Sequence, residues 1–186
     1  MERLKKIKVL ASDVDGVLTD GGLLYTEESG SSKIFNVQDG LGIRLAMLSG
    51  LDIALVTGNV STVVSRRATD LGVSEVYQGA RFKTEAILEI ATRNSISLEE
   101  IAYVGDDLND LPAMELVGVS FAVANAAQDV KDAASFTTAK SGGTGAVREI
   151  IETILKAQGK WEDAVKTLLK EFEREQAEGN AARAAG

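Results

Sequence analysis

Two aspartates follow the first apolar run of the chain, in the order Asp13, Val14, Asp15, Gly16. Carboxyl groups at this spacing would point to the same side of an extended chain, with their Cα atoms about 7 Å apart. One carboxylate of such a pair can attack as a nucleophile, the other can pass a proton, and a metal ion can bridge them. The alternative interpretation is an Asp turn that caps a loop.

A second acidic group follows the apolar run at 101–104 and contains Asp106, Asp107, Asn109 and Asp110. Three aspartates directly after a buried strand repel one another unless a cation lies among them. Capping of the next helix is the alternative, but one cap accounts for one aspartate. The group therefore predicts a Mg²⁺ site.

Two further segments could bind phosphate. A hydroxyl and backbone N–H groups follow the run at 52–56, in Thr57-Gly58-Asn59, where they could cradle a phosphate or simply cap a helix. Lys83 precedes a helical segment, and a single lysine is usually a solvated surface charge. Beside a carboxylate and metal site, however, its ammonium group would supply the counter-charge that a phosphate needs.

The composition restricts the possible chemistry. The 186 residues include no cysteine and no histidine, which excludes disulfides, zinc ribbons, thiol nucleophiles and histidine bases. Acid–base work then falls to Asp, Glu, Lys or Tyr. A metal ion must be held by oxygen, which selects Mg²⁺, Ca²⁺ or Mn²⁺.

The net charge of −8 argues against a nucleic-acid partner and against docking on an anionic membrane. The apolar run near the N-terminus is too short for a signal sequence or a membrane span, and no run elsewhere reaches the length of a span. We therefore expect a cytoplasmic protein without a membrane partner.

Short apolar runs alternate with segments of helical period, which predicts an α/β fold with a doubly wound, Rossmann-like parallel sheet. Such runs, buried on both faces, are typical of parallel strands. The predicted strands lie at 7–11, 52–56, 101–104 and 119–122, and the predicted helices at 41–48, 61–71, 84–94 and 145–157.

One segment interrupts the alternation. Residues 17–36 contain β-prone runs at 23–26 and 33–36 around a Gly/Ser-rich turn, which predicts a β-hairpin protruding after the first strand. The main domain is predicted to end at 159. An amphipathic helix at 160–176 and a flexible tail at 177–186 are predicted to follow.

The ordered set DxDGVLT, TGN, a lone lysine and GDDLND resembles the haloacid dehalogenase superfamily of phosphohydrolases, over about residues 7–159. The resemblance implies that Asp13 is a nucleophile that forms an aspartyl-phosphate, and that Asp15 is the general acid and base. It further implies a Mg²⁺ ion held by Asp13, Asp106 and the backbone carbonyl of Asp15. Behind these ligands would lie Asp107 and Asp110, and the transferring phosphoryl group would be bound by Thr57, Gly58 and Lys83.

The spacing indicates the capless branch of that superfamily. The hairpin and one helix fill the interval 13–57, and the interval 57–83 is shorter still. A cap domain would need on the order of 50 residues or more. We therefore expect no cap domain.

Several longer sequence segments resemble capless phosphatases of lipopolysaccharide synthesis that act on 3-deoxy-D-manno-octulosonate (KDO) 8-phosphate. These segments lie at 13–21, 35–43, 77–79, 142–149 and 157–160. The resemblance implies a keto-deoxy sugar acid phosphate as substrate and a homotetramer in which a neighbouring subunit covers each site. It implies substrate contacts at Asn36, Val37, Gln38, Asp39, Gly40, Arg44, Asn59, Arg67 and Asn109. An arginine can hold a sugar carboxylate with two hydrogen bonds, although Arg44 and Arg67 could equally be solvated helix charges.

Two positions depart from the usual pattern. Asn59 stands where these phosphatases usually have arginine, and Asn109 stands where an apolar residue is common. Both changes favour the related phosphatases of nine-carbon sugar acids, with KDN 9-phosphate or N-acylneuraminate 9-phosphate as substrate. A silent binding protein of the same fold and a phosphomutase are further alternatives. The first conflicts with the intact Asp13 and Lys83, and the second generally needs a cap.

Overall fold

The computed structural model describes residues 1–24 and 32–184. Six parallel strands form one sheet in the order β3-β2-β1-β4-β5-β6, which confirms the predicted doubly wound fold. The described segments between strands contain no inserted cap domain. The strands are β1 Val9–Ser12, β2 Asp52–Thr57, β3 Glu75–Gln78, β4 Ile101–Gly105, β5 Val119–Ala122 and β6 Phe136–Thr137.

The described residues form seven α-helices around the sheet. They are α1 Val37–Leu48, α2 Thr62–Leu71, α3 Lys83–Asn94, α4 Leu111–Leu116, α5 Gln128–Ala133, α6 Ala146–Ala157 and α7 Trp161–Ala184. Helix α6 shows why such segments fold: Val147, Ile150, Ile151, Ile154 and Leu155 recur at helical spacing, and all five are buried. Short 3₁₀ turns at Glu2–Lys6, Leu98–Glu100 and Leu108–Asp110 complete the described elements.

The register of the central strands determines where the site forms. Ser12, the last residue of β1, pairs with Leu55 of β2 and with Val104 of β4. The residues that follow these three strands therefore meet at one edge of the sheet. The chain order reverses between β1 and β4, and in doubly wound sheets ligands bind in the crevice at such a point.

The segment predicted as a hairpin is described only in part. Leu24 and Ser32 form an antiparallel bridge, and residues 25–31, the predicted turn among them, lie outside the described residues. The predicted strand at 33–36 is wrong, because these residues run irregularly into α1. Asn36 is the N-cap of α1, where its side chain accepts a hydrogen bond from the Gln38 N–H. The chain turns into the helix at this point and does not continue as a strand.

The C-terminal helix is longer than predicted. It runs from Trp161 to Ala184, so the residues beyond the predicted end at 176 continue the helix as far as 184. Its buried residues Ala164 and Leu168 pack on the domain, and Glu171 and Glu175 bind Arg44 of α1. No helix in the described ranges has the length and apolar character needed to cross a membrane.

Candidate active site

Asp13 lies at the carboxyl end of β1, held by its own loop and by the neighbouring strand. Its backbone N–H donates to the Val104 carbonyl of β4 at 3.0 Å. Its Oδ1 accepts a hydrogen bond from the Val14 N–H at 2.7 Å, and the residue is 5% exposed. These contacts fix the carboxylate in one orientation, with Oδ2 beside Lys83.

Gly16 lets the loops after β1 and β4 approach each other. Its φ of 90° lies in the left-handed region, which residues with a Cβ avoid. A Cβ at this position would lie 1.9 Å from Oδ2 of Asp106. Gly16 therefore serves both the bend of its own loop and the approach of Asp106.

Asp110 organises the acidic loop. It is fully buried, and its Oδ1 accepts hydrogen bonds from Lys83 Nζ and from the Tyr103 hydroxyl, both at 2.5 Å. Its Oδ2 accepts from the backbone N–H groups of Asp106 at 2.9 Å and Asp107 at 3.2 Å. Four donors satisfy this carboxylate, which agrees with the expectation that it lies behind the metal ligands; that role stays a prediction.

Lys83 lies inside the protein at the first position of α3. Its side chain is 2% exposed, with Nζ 3.0 Å from Asp13 Oδ2 and 2.5 Å from Asp110 Oδ1. Burial alone would lower the pKa of Lys83, but these two carboxylates raise it above its ordinary value. The ammonium group therefore stays charged and can face a phosphate next to Asp13.

The carboxylate set suits a divalent cation. Oxygens of Asp13, Asp106 and Asp110 lie within 4.8 Å of one another. Burial raises the pKa of Asp13 to about 7, although Lys83 opposes the shift. Burial and the adjacent Asp110 raise the pKa of Asp106 to about 6. The positive charge of one lysine does not balance the negative charge of these three carboxylates, so a cation would be stabilised among them. Because all the possible ligand atoms are oxygens, Mg²⁺ fits this site. Because Asp110 is saturated, Asp13 and Asp106 are the side chains free to hold it.

Asp15 is surrounded by hydrogen-bond donors. Its Oδ2 accepts from Asn59 Nδ2 at 3.0 Å and from the Thr57 hydroxyl at 3.4 Å, and its Oδ1 forms an ion pair with Lys33. Burial alone would raise the pKa of Asp15, but the hydrogen bonds from Lys33, Asn59 and Thr57 lower it below its ordinary value. Sequence reasoning did not single out Lys33, because its reach toward Asp15 depends on the path of the segment 17–36.

A cavity of about 470 Å³ opens at this edge of the sheet. It brings together nine of the predicted site residues, namely Asp13, Asp15, Thr57, Gly58, Asn59, Lys83, Asp106, Asp107 and Asn109. Gly21, Ala80 and Arg81 also line it and were not predicted. Arg81 lies two positions before Lys83, and only its nearness to that lysine in the sequence could have suggested it.

Residues 36–40, predicted to contact the sugar, do not line this cavity. Asn36 caps α1 by accepting a hydrogen bond from the Gln38 N–H at 2.7 Å. Asp39 is buried, and its Oδ1 accepts from the backbone N–H of Arg148 in α6 at 2.8 Å. In contrast, Val37 is 81% exposed. Within one chain this segment begins α1 and binds the start of α6, away from the cavity. Its predicted contact with the sugar could therefore form only in the site of a neighbouring subunit, and it stays a prediction.

The two arginines predicted to contact the sugar also lie outside the cavity. Arg44 binds Glu171 at 3.0 Å and Glu175 at 2.7 Å. Arg67 lies over the Phe35 ring, with the guanidinium carbon 5.6 Å from the ring centroid. Neither arginine reaches the cavity of its own chain, so a sugar contact in the site of a neighbouring subunit stays a prediction for both.

Comparison with known proteins agrees with this geometry. A family model described as haloacid dehalogenase-like hydrolase matches residues 53–151. The 3-deoxy-D-manno-octulosonate 8-phosphate phosphatase of Escherichia coli strain B is 44% identical over 165 residues, which cover 88% of this chain and 87% of that enzyme. The chain belongs to the haloacid dehalogenase-like hydrolase family. The family expected from the motifs is thereby confirmed.

Solved structures of other haloacid dehalogenase-like hydrolases share the whole fold. The Moraxella catarrhalis KDO 8-phosphate phosphatase, in complex with a magnesium ion, a phosphate ion and KDO, is 41% identical with a TM-score of 0.87, covering 90% of this chain and 96% of that one. The cobalt-bound Haemophilus influenzae enzyme is 42% identical with a TM-score of 0.83, covering 86% and 93%. The similarity to these structures therefore extends well beyond the residues that the family model matches.

A glycine-rich loop before α6 supports the site from behind. The Gly143 N–H donates to the Val17 carbonyl at 2.9 Å, and the Gly142 N–H donates to Asn125 Oδ1 at 2.8 Å. A Cβ on Gly142 would lie 1.7 Å from the Gly16 carbonyl oxygen. The sequence predicted only a loop and a helix start here, whereas the structure shows the loop packed against the Asp13–Gly16 turn.

Proposed function

We propose that this protein is a Mg²⁺-dependent phosphatase that hydrolyses KDO 8-phosphate to KDO and phosphate through an aspartyl-phosphate at Asp13. The observation that carries the proposal is the placement of Asp13 Oδ2 3.0 Å from Lys83 Nζ, with Asp15 two positions along the same loop. Relatives of that activity align over most of the chain. The proposal places the enzyme in the cytoplasm, as expected from the sequence.

The chain's own residues provide the steps. Asp13 forms a bond to phosphorus while the bond from phosphorus to the sugar oxygen breaks, and Asp15 gives that oxygen a proton. Asp15 then takes a proton from the water that attacks the aspartyl-phosphate, which releases phosphate and restores Asp13. Lys83, together with Thr57 and the Gly58 backbone, would hold the phosphoryl oxygens during both steps.

The metal requirement follows from charge. Asp13 and Asp106 would hold Mg²⁺, which would supply positive charge to the phosphoryl oxygens. Lys83 is the cation nearest to Asp13 in the described part of the chain, and it already faces two carboxylates. A dianionic phosphate therefore needs a further positive charge at this site.

A nine-carbon sugar acid phosphate is the second candidate substrate. Asn59 and Asn109, the two positions that depart from the usual pattern, both line the cavity. Asn59 donates to Asp15 at 3.0 Å, so an amide occupies the place where an arginine could meet a sugar carboxylate. The difference thus lies where it can change substrate choice.

A homotetramer that covers the site is part of the proposal. Three apolar residues of the predicted hairpin segment are more than half exposed, namely Leu23, Leu24 and Ile34. Val60 and Phe82, which are next in sequence to the cavity-lining Asn59 and Arg81, are likewise exposed. Apolar surface at a hairpin and around an open active site is suited to burial against other copies of the chain.

One assay tests the proposed function. Phosphate release is measured in parallel from KDO 8-phosphate, KDN 9-phosphate and p-nitrophenyl phosphate, with Mg²⁺ and with excess EDTA. We expect kcat/KM to be highest for KDO 8-phosphate, and EDTA to abolish all three activities. Preference for KDN 9-phosphate would move the assignment to the second candidate, and full activity in EDTA would contradict the metal requirement.

A further inference from the structure

We propose that Lys33 is a positioning residue that sets the orientation of the Asp15 carboxylate for proton transfer. The inference rests on the proposed phosphatase mechanism, in which Asp15 protonates the leaving oxygen. Lys33 follows the Leu24–Ser32 bridge, and its side chain is 7% exposed and ion-paired with Asp15 Oδ1. A lysine this buried is rare unless its charge is paired.

The other donors to Asp15 all reach its second oxygen. The Thr57 hydroxyl and Asn59 Nδ2 both approach Oδ2, from the last residue of β2 and from the loop that follows it. Lys33 alone among the described residues holds Oδ1, from the segment that leads into α1. A carboxylate fixed at both oxygens cannot rotate about its Cβ–Cγ bond without losing a charge-assisted hydrogen bond.

Oδ2 is the oxygen on the side of the cavity, because both of its donors, Thr57 and Asn59, line the cavity. The Thr57 contact of 3.4 Å is long for an O–H···O hydrogen bond, so Oδ2 can exchange that partner for the substrate oxygen. In the first step the proton moves from Oδ2 to the sugar oxygen as its bond to phosphorus breaks and the Asp13–phosphorus bond forms. Lys33 does not line the cavity and thus acts through Asp15.

The test compares leaving groups that need the proton to different degrees. Lys33→Met removes the charge, Lys33→Arg retains it, and Lys5→Met is a matched control on an exposed lysine. Release of the leaving group in a single turnover is measured for KDO 8-phosphate, phenyl phosphate and p-nitrophenyl phosphate. Because p-nitrophenolate leaves readily without a proton, it reports on phosphorus attack alone.

We expect Lys33→Met to slow release of KDO and of phenol by about 100-fold, the lower end of what general acid catalysis contributes. Release of p-nitrophenolate should slow less than about tenfold, KM should change little, and Lys33→Arg should recover part of the loss. Equal losses for phenyl and p-nitrophenyl phosphate, or a loss confined to KM, would overturn the proposal. If the wild-type enzyme hydrolyses the two aryl phosphates but not KDO 8-phosphate, the assigned substrate is wrong. The comparison of phenyl phosphate with p-nitrophenyl phosphate then still tests the role of Lys33.

A separate observation concerns another residue of the cavity lining. The geometry points to Arg81 as the residue that binds the carboxylate of the sugar acid, a role that also rests on the proposed substrate class. Arg81 lines the cavity, and its exposed guanidinium makes no ion pair within residues 1–24 and 32–184. Lys83, the other cavity-lining cation, already faces Asp13 and Asp110.

The position of Arg81 suits the second anionic group of a phosphorylated sugar acid. It precedes Lys83 by two positions, and its backbone N–H is fixed by a 2.9 Å hydrogen bond to the Gly79 carbonyl. The phosphate end of the substrate is assigned to Asp13 and Lys83. Arg81, whose guanidinium has no ion pair among the described residues, is then the cavity-lining cation left for a carboxylate at the other end. Guanidinium groups bind carboxylates with two parallel hydrogen bonds.

The test is a substrate-specific change in KM. Arg81→Met should raise KM for KDO 8-phosphate by about tenfold or more, which is the loss of affinity expected when a hydrogen bond to a charged group is removed. KM for p-nitrophenyl phosphate, which has no carboxylate, should not change. The control is Arg66→Met, on an exposed arginine of α2. An equal rise for both substrates, or none for KDO 8-phosphate, would overturn this role. Wild-type enzyme that hydrolyses only p-nitrophenyl phosphate would instead overturn the substrate class.

Discussion

At the scale of single residues, Asp13 carries the largest predicted effect. Asp13→Asn should lower kcat by about 10⁴-fold or more, because an amide cannot attack phosphorus. The variant should fold and melt at or above the wild-type temperature, since one buried negative charge beside Asp110 is removed. Steady-state kinetics and thermal melting measure both effects, with Asp163→Asn on an exposed aspartate as control. A variant retaining a tenth of the activity would contradict an aspartyl-phosphate.

The raised pKa values of Asp13, about 7, and Asp106, about 6, predict how pH affects metal binding. Without metal the folded state binds these protons more tightly than the unfolded chain, so their stabilising effect is present at low pH and is lost as pH rises through about 6 to 7. Mg²⁺ needs both groups deprotonated. Added MgCl₂ should therefore raise Tm more at pH 8 than at about pH 5.5. Asp106→Asn should weaken this dependence, and equal shifts at both pH values would contradict it.

The sequence predicted the residues of the site better than it predicted their partners. Each of these site residues ends a strand, follows one or begins a helix, and parallel strands place such positions at one edge of the sheet. They are Asp13, Thr57, Lys83 and Asp106. Lys33 was not predictable because it comes from an irregular segment. The buried cap that Asp39 makes to α6 was missed because a single aspartate gives no signal of its partner.

At the scale of elements, the loop before α6 should be as sensitive as the catalytic residues. Gly142→Ala places a methyl group against the Gly16 carbonyl, where a Cβ would lie at 1.7 Å, so one of the two loops must move. We expect a fall in stability of about 2–3 kcal/mol and a loss of most activity. Urea unfolding and phosphatase assays measure the two effects. Ser141→Ala in the same loop is the control, and a fully active Gly142→Ala enzyme would show that the loop does not support the site.

The elements missed from the sequence share a physical cause. The four predicted strands are buried and apolar, whereas β3 is only partly buried and β6 has two residues at the sheet edge. Edge strands lack the continuous apolar run that marks a central parallel strand. The end of helix α7 was predicted too early. Its last turns carry few apolar residues, so the amphipathic pattern on which the prediction relied stops before the helix does.

At the scale of the whole molecule, the exposed apolar residues predict assembly. We expect sedimentation to show four times the chain mass. Leu23→Asp with Ile34→Asp should dissociate the particle without unfolding the chain, because both side chains are more than half exposed in one copy. KM for KDO 8-phosphate should rise as the covering subunit is lost. Leu88→Asp, on an exposed leucine of α3, is the control; dissociation by that variant instead would place the interface on α3.

The central place of β1 has a consequence for synthesis on the ribosome. β1 is the first strand made, yet its neighbour β4 ends at Gly105, and the loop that packs against Gly16 comes later still, at Gly142. At about 5–20 residues per second, β1 waits roughly 5–20 s with one edge unpaired. Its apolar residues Val9 and Leu10 are exposed to chaperones and to other nascent chains during that time. A newly made copy can therefore acquire activity only late in translation, after most of the polypeptide has left the exit tunnel.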